Sequence, residues 1–145
     1  MIRSLLVTSA LLVGISAVAA QEDPISSRKA LMKSVGAATA NGNRMVKGEA
    51  PFDLDKAQEI LKTYATASDK MHTYFPETAK TGGETAASPK IWESQADFRK
   101  RFDDWAADIK KAAANTKDLD TFKTEFGTLT KACGSCHETY RVRRS

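Results

Sequence analysis

The sequence has few residues that interrupt helices. Only four prolines and eight glycines occur among its 145 residues, and apolar and polar residues nowhere alternate in the manner typical of β-strands. Between the prolines, apolar residues instead recur every three or four positions, which is the spacing of one helix face. These features exclude an extensive β-sheet and predict an all-α fold.

A capping residue precedes each predicted helix. Asp23 and Ser88 are each followed by proline, which favours the first helical position, and Asp53 and Asp118 precede the other two apolar periods. The predicted helices run from Asp23 to about Lys47, from Asp53 or Leu54 to about Tyr74, from Ser88 to about Ala114, and from Asp118 to the end of the chain. Helices of this length, joined by short or moderate loops, predict an antiparallel four-helix bundle.

The a/d spacing of the last two predicted helices indicates which residues form the core. It selects Ile91, Gln95, Phe98, Phe102, Trp105 and Ile109 in the third helix, and Leu119, Phe122, Phe126, Leu129, Cys133, Cys136 and Tyr140 in the fourth. Because the two cysteines occupy core positions, whatever they bind is predicted to lie inside the bundle.

Cysteine and histidine are scarce, with two residues of each type. Both cysteines and one histidine are nevertheless grouped in Cys133-Gly134-Ser135-Cys136-His137. This Cys-x-x-Cys-His pattern is typical of c-type haem attachment, in which the sulfurs form thioethers with the haem vinyl groups and the imidazole binds the iron. Positions i, i+3 and i+4 share one helix face, so all three side chains can contact one haem.

Two other uses of the cysteines are weaker alternatives. A disulfide or thioredoxin-like redox pair needs no adjacent histidine, and such a pair usually opens a helix rather than lying near its end. A structural zinc ion needs four ligands, which this chain could supply only as Cys133, Cys136, His137 and the distant His72. Haem attachment is therefore the favoured interpretation.

No apolar run is long enough for a confident membrane span, which needs about 20 predominantly apolar residues. Arg3 is instead followed by a shorter apolar stretch that ends in the small residues Ala19 and Ala20. This pattern predicts a signal peptide over residues 1–20, cleaved to leave a mature domain of residues 21–145. An uncleaved anchor is the alternative, and no stable membrane insertion is expected after cleavage.

The charge balance says little about partners, because the formal net charge of the whole chain is only +4. Basic residues are concentrated near the C-terminus, at Lys131, Arg141, Arg143 and Arg144. They either complement the helix dipole or form a docking patch for an acidic redox partner. The sequence contains no nucleic-acid signature, no glycine-rich phosphate loop and no catalytic constellation, so no enzyme activity is predicted.

Several separated motifs resemble the class II cytochromes c, the cytochrome c′ family. Tyr140-Arg141 follows the Cys-x-x-Cys-His pattern, residues 46–53 are similar to the family's link between helices one and two, and residues 89–92 with Phe98 resemble its third-helix opening. The resemblance implies one covalent haem c in a four-helix bundle. It also implies haem attachment outside the cytoplasm, hence a periplasmic protein, with redox proteins as partners and with homodimerisation in many relatives.

The resemblance further implies which residue faces the iron opposite His137. In the family this position lies one turn after an arginine in helix one, which here gives Arg28 and Met32. Arg28 is expected to reach a haem propionate. If the Met32 sulfur binds, the iron is six-coordinate and low-spin, and the protein is an electron carrier. If Met32 only packs, the iron is five-coordinate and binds nitric oxide or carbon monoxide. We favour ligation, because the five-coordinate members more often have leucine or an aromatic residue here.

Further expectations concern five other residues. By family position, Trp105 is expected to contact the haem and Arg141 to lie beside the proximal histidine, although a solvated helix-end charge is the alternative for Arg141. His72 is expected to be an exposed histidine at a helix end. Met45 and Met71 are poorer ligand candidates than Met32, since neither follows an arginine by one turn.

Overall fold

The structure, a computed structural model, describes residues 23–82 and 84–142. Its α-helices are α1 (Pro24–Val46), α2 (Leu54–Lys70), α3 (Lys90–Glu93), α4 (Gln95–Asn115) and α5 (Leu119–Tyr140), with 3-10 turns at Met71–Tyr74 and Glu77–Ala79. The four long helices form a ring in which α1 packs against α2, α2 against α4, α4 against α5, and α5 against α1. The prediction of an all-α four-helix bundle is confirmed.

Contacts between helix ends show that neighbouring helices are antiparallel. Gln58, near the start of α2, donates to the carbonyl of Ala113, near the end of α4, at 3.1 Å. Tyr140, the last residue of α5, donates its hydroxyl to Asp97 near the start of α4. In the same way, Arg28 near the start of α1 reaches the carbonyl of Tyr74 beyond the end of α2.

Three of the predicted capping residues act as caps. The Asp23 carboxylate accepts from the backbone N–H of Ile25 and Ser26, and Asp53 accepts from that of Lys56. Asp118 forms a reciprocal capping box at the start of α5. Each such cap satisfies backbone donors that have no partner inside the helix, which contributes about 1 kcal/mol.

The predicted third helix is divided into two. Ser94 adopts φ −137° and ψ 50°, outside the helical region, so α3 ends at Glu93 and α4 begins at Gln95. Because the helix starts anew after Ser94, Gln95 is exposed, and its predicted place in the core was wrong. The predicted core positions from Phe98 to Ile109 are all buried.

Aromatic side chains form two clusters in the bundle. The first aromatic cluster consists of Phe52, Tyr64, Trp105, Phe122 and Phe126. The second aromatic cluster consists of Phe75, Trp92, Phe98, Phe102 and Tyr140. Helix α5 contributes to both, and residues 133–137 lie on it between its two contributions.

No helix within the described residues is sufficiently long and apolar to span a membrane. The predicted signal peptide over residues 1–20 lies outside the described part of the chain.

Candidate haem-binding site

The two cysteines lie one turn apart in α5, and neither is in a disulfide. Both side chains are half-buried and pack against the hydrophobic core. The Cys133 thiol points back along its helix and donates to the carbonyl of Leu129 at 3.4 Å. Burial raises the pKa of both thiols, so they are kept protonated and show none of the acidity of a redox pair at a helix start.

His137 follows Cys136 directly and is exposed on the same helix. Neighbouring protein still withdraws enough water from the imidazole to lower its pKa, and the nearby positive charge of Arg141 lowers that pKa further. Both effects favour the neutral imidazole, which is the form that binds a metal. The structure therefore places two thiols and one neutral imidazole on consecutive turns of one helix.

The zinc alternative lacks a suitable ligand cluster. Among the described residues, no group of three or more histidine, cysteine, aspartate or glutamate side chains could hold a metal ion. His72 lies elsewhere, in the 3-10 turn after α2, beside a groove of about 480 Å³ between α2 and α4. It is half-buried, not exposed as predicted, and its buried Nδ1 atom has no hydrogen-bond partner among residues 23–82 and 84–142.

Trp105 supplies a test of whether this interior suits a haem. Its side chain is buried in the first aromatic cluster, with its ring centroid 5.3 Å from that of Tyr64. Its indole N–H has no hydrogen-bond partner in the described structure. Because such a buried donor costs about 1–3 kcal/mol when unpaired, it indicates that the interior accommodates a further group with an acceptor. Two core-facing thiols, a neutral imidazole and an unpaired donor fit a haem with its carboxylates.

Tyr64 is a residue of this region that the sequence analysis did not assign to the site. It is fully buried, and its hydroxyl and that of Thr39 on α1 are 2.7 Å apart. Burial raises the pKa of Tyr64 to about 12, and the proximity of Cys133 adds to the shift. The Tyr64 hydroxyl is therefore a neutral group close to one of the two attachment points.

Met32 lies on α1, half-buried, and packs against the same core as the two cysteines. The other methionines of the described residues differ from it, since Met45 is 3% and Met71 2% exposed within that core. Met32 is thus the described methionine whose side chain lies at the boundary of the core.

Arg28, one turn before Met32, is 5% exposed. Its guanidinium donates to the carbonyls of Tyr74 at 3.2 Å and Ala79 at 3.3 Å, and to the Thr85 hydroxyl at 2.6 Å. It also lies over the ring of Phe75, 4.6 Å from the centroid. The predicted contact with a propionate stays a prediction, and these partners give Arg28 a second role in holding residues 74–85.

A polar network at the end of α5 was also missed. The Asp97 carboxylate accepts from the Tyr140 hydroxyl and, at 3.1 Å, from Nε of Arg101. Arg101 in turn lies over the Tyr140 ring, 5.4 Å from its centroid. These hydrogen bonds lower the pKa of Asp97. The Asp97 and Arg101 pair has the i,i+4 spacing that could have been read from the sequence, but Tyr140 is 43 residues away.

Comparisons with known proteins identify relatives along almost the whole chain. A family model described as Cytochrome C′ matches residues 23–141. A cytochrome c′ of Rhodopseudomonas palustris is 42% identical over 126 residues, covering 87% of this chain and 86% of the relative. A cytochrome c-556 of the same organism is 33% identical over 145 residues, covering 97% of each. The solved structure of cytochrome c′ from Rhodopseudomonas palustris matches with a TM-score of 0.82 over 86% of this chain and 100% of that one, at 42% identity.

Proposed function

This chain belongs to the cytochrome c′ family and carries haem c, and from that premise we propose that it is an exported electron carrier with a low-spin iron bound by His137 and Met32. Bound haem supplies an iron that accepts and releases one electron. The residues of this chain determine whether the iron has a free position for a small ligand.

Three residues of α5 hold the cofactor in this proposal. Cys133 and Cys136 form the thioethers, and their half-buried, core-facing positions direct the haem into the bundle. His137 binds from the same helix, since its lowered pKa keeps the imidazole neutral near pH 7. Arg141, whose charge acts on that imidazole, lies on the proximal side.

The position of Met32 is the observation that carries the low-spin assignment. Met32 packs against the same core as Cys133 and Cys136. It is only half-buried, so part of its side chain is available to a bound haem, whereas Met45 and Met71 are enclosed by other side chains. Histidine and methionine together raise the reduction potential relative to harder ligands, which suits an electron carrier. The similarity to proteins named cytochrome c-556 supports this choice.

A five-coordinate protein that binds nitric oxide or carbon monoxide is the second candidate. It is supported by the greater identity, 42%, to a protein named cytochrome c′. In that case Met32 packs as an ordinary apolar side chain. The two candidates differ in one measurable property, the spin state of the iron.

Absorption spectra of the purified protein, with and without carbon monoxide, test the proposal. We expect a low-spin ferric spectrum with a methionine-to-iron charge-transfer band, and no rapid carbon monoxide binding after reduction. Met32→Leu should convert the iron to high-spin, lower the potential and allow carbon monoxide to bind. Met45→Leu is the matched control, because an exchange of similar volume in the core costs less than about 1.5 kcal/mol and should leave the spectrum unchanged.

A wild-type spectrum that is high-spin near neutral pH would contradict electron carriage and favour gas binding.

The protein for these spectra should come from the periplasmic fraction, with the mass of residues 21–145 plus one haem. Recovery in the cytoplasmic fraction, or a mass without haem, would contradict the proposed export and attachment.

Lys131 and Arg141 are exposed, and we propose them as part of a docking surface for an acidic redox protein.

A further inference from the structure

Residues 85–88, which we name the strap, connect the start of α1 to the end of α5. At the α1 side, the Thr85 hydroxyl accepts from Arg28 at 2.6 Å and also from the backbone N–H of Ala87 at 3.1 Å. The hydroxyl therefore joins the Arg28 guanidinium to the backbone of the strap. The strap is partly enclosed, since Ser88 is 8% exposed and Thr85 is half-buried.

At the α5 side, the strap pairs with the chain as it leaves the helix. Ala87 and Arg141 form an isolated antiparallel bridge. The Ser88 N–H donates to the Tyr140 carbonyl, and the Val142 N–H donates to the Ala86 carbonyl, both at 2.9 Å. Two backbone hydrogen bonds thus fix the last turn of α5 to the strap.

The residues held at the two ends lie next to the proposed iron ligands. Arg28 is one helical turn before Met32 on α1, and Tyr140 is one turn after His137 on α5. The Arg141 N–H also donates to the His137 carbonyl at 3.2 Å. A continuous series of hydrogen bonds therefore runs from the turn before Met32, through Thr85 and the strap, to the turn that carries His137.

Each end of this connection is rigid in itself. Arg28 is further fixed by the carbonyls of Tyr74 and Ala79 and by the Phe75 ring. Tyr140 is fixed by Asp97 and by its ring contact with Phe98, with centroids 5.0 Å apart. Because both ends are buried or bonded on several sides, a change at Thr85 is transmitted to the spacing between the helices instead of being absorbed by loose side chains.

We propose that the strap sets the spacing between α1 and the end of α5, and that Thr85 and Arg28 are positioning residues for the two axial ligands of the iron. The part that concerns Met32 rests on the proposed function above. A ligand displaced by a fraction of an ångström binds iron less well, so the strap favours the six-coordinate state over the five-coordinate one.

Thr85→Val is the decisive variant, because valine keeps the β-branched shape and removes the acceptor of both hydrogen bonds. In the holoprotein we expect the high-spin fraction and the rate of carbon monoxide binding to rise roughly fivefold or more. Amide hydrogen exchange at Ser88 and Val142 should become faster. Thr85→Ser should restore the wild-type values, because serine keeps the hydroxyl.

Thr66→Val is the matched control. The Thr66 hydroxyl is exposed on α2 and donates to the Lys62 carbonyl of its own helix, at 3.1 Å. Its removal should leave both the spectrum and the exchange at Ser88 and Val142 unchanged. A Thr85→Val protein that melts at a lower temperature with a wild-type spectrum would overturn the positioning role, as would unchanged exchange at Val142.

Different experimental results would contradict the strap proposal and the proposed function. If the wild-type protein is already high-spin, methionine ligation is wrong. The strap proposal is then tested only through the effect of Thr85→Val on the position of His137. In that case Thr85→Val must shift the iron–histidine stretching frequency in the resonance Raman spectrum of the ferrous protein. An unshifted frequency would overturn the strap proposal.

Discussion

Single polar atoms inside the bundle distinguish its interior from an ordinary apolar core. The Tyr64 hydroxyl is paired with Thr39, whereas the Trp105 indole N–H has no partner among the described residues. The Tyr64 hydroxyl thus has its hydrogen-bond partner within the polypeptide, whereas the Trp105 N–H could donate to an acceptor on a bound cofactor. The Trp105 donor lies beside Tyr64, which is itself close to Cys133, so a bound haem there could supply its acceptor.

Tyr64→Phe should cost only about 1 kcal/mol near neutral pH. The cost is small because Thr39 keeps its own hydrogen bond to the Val35 carbonyl, at 2.8 Å. Urea unfolding of the holoprotein would measure this difference. Thr39→Ser serves as the control, since it keeps a hydroxyl opposite Tyr64.

The same variant should change the dependence of stability on alkaline pH. The folded-state pKa of Tyr64 is raised to about 12 from its ordinary value of 10.0. Its contribution to stability is therefore fully present below about pH 10 and is lost as the pH rises through about 12. Wild-type protein should lose more unfolding free energy over this interval than Tyr64→Phe. Parallel losses in the two proteins would contradict the burial of a neutral hydroxyl.

The residues proposed for haem attachment could be identified in the sequence because they are close together in the chain. Cys133, Cys136 and His137 required only helical periodicity to be placed on one helix. The contacts of Arg28 were not predictable, since its partners lie 46 to 57 residues away, beyond α2, in the 3-10 turns and the strap. A buried arginine donates to whichever carbonyls the tertiary fold places near its guanidinium, and the residues next to Arg28 in the sequence do not indicate which carbonyls these are.

Among the helices, starts were predicted better than interruptions. The carboxylates of Asp23, Asp53 and Asp118 bond to backbone groups two or three residues away, so each cap is a local property of the sequence. The break at the exposed residue Ser94 has no such local signal, because the residues around it fit the pattern of a helix. This is why Gln95 was wrongly assigned to the core.

The approach of α1 to α5 depends on a glycine. A Cβ atom built on Gly42 would lie 2.6 Å from Cζ of Phe126, which is buried in the first aromatic cluster. Gly42→Ala should therefore destabilise the holoprotein by about 1–3 kcal/mol, because either the ring or the helix must move. Thermal melting or urea unfolding would measure the loss.

Gly127→Ala is the matched control for this prediction. Gly127 is next to Phe126 on α5 and is exposed, and a Cβ atom there would meet no atom of the described part of the chain within 4 Å. The change should stabilise the protein by about 0.5–1 kcal/mol, since alanine is the better helix former. Equal effects from the two substitutions would show that helix propensity, and not close packing, determines the Gly42 position.

For the molecule as a whole, the haem motif lies between two aromatic clusters that α5 links. The first cluster joins α2, α4 and α5 through Tyr64, Trp105 and Phe126. The second joins the segment after α2 to α3, α4 and the end of α5. Because each cluster packs within itself, removal of the haem should affect mainly the region between them and the strap that is bonded to the end of α5.

We therefore expect the apoprotein, produced in the cytoplasm as residues 21–145 so that no haem is attached, to remain helical but to melt at a lower temperature and over a broader range. A haem fills far more space than the side chains whose removal costs about 2–5 kcal/mol, so its absence must leave the bundle less tightly packed. Hydrogen exchange should be slowest at the first aromatic cluster. It should be fastest over residues 133–142, which include the proposed haem ligands, and in the strap, which is bonded to Tyr140 and Val142. The holoprotein is the reference in both measurements. An apoprotein that melts as sharply and at the same temperature would show that the haem lies outside the core, and the inward position of Cys133 and Cys136 would then need another explanation.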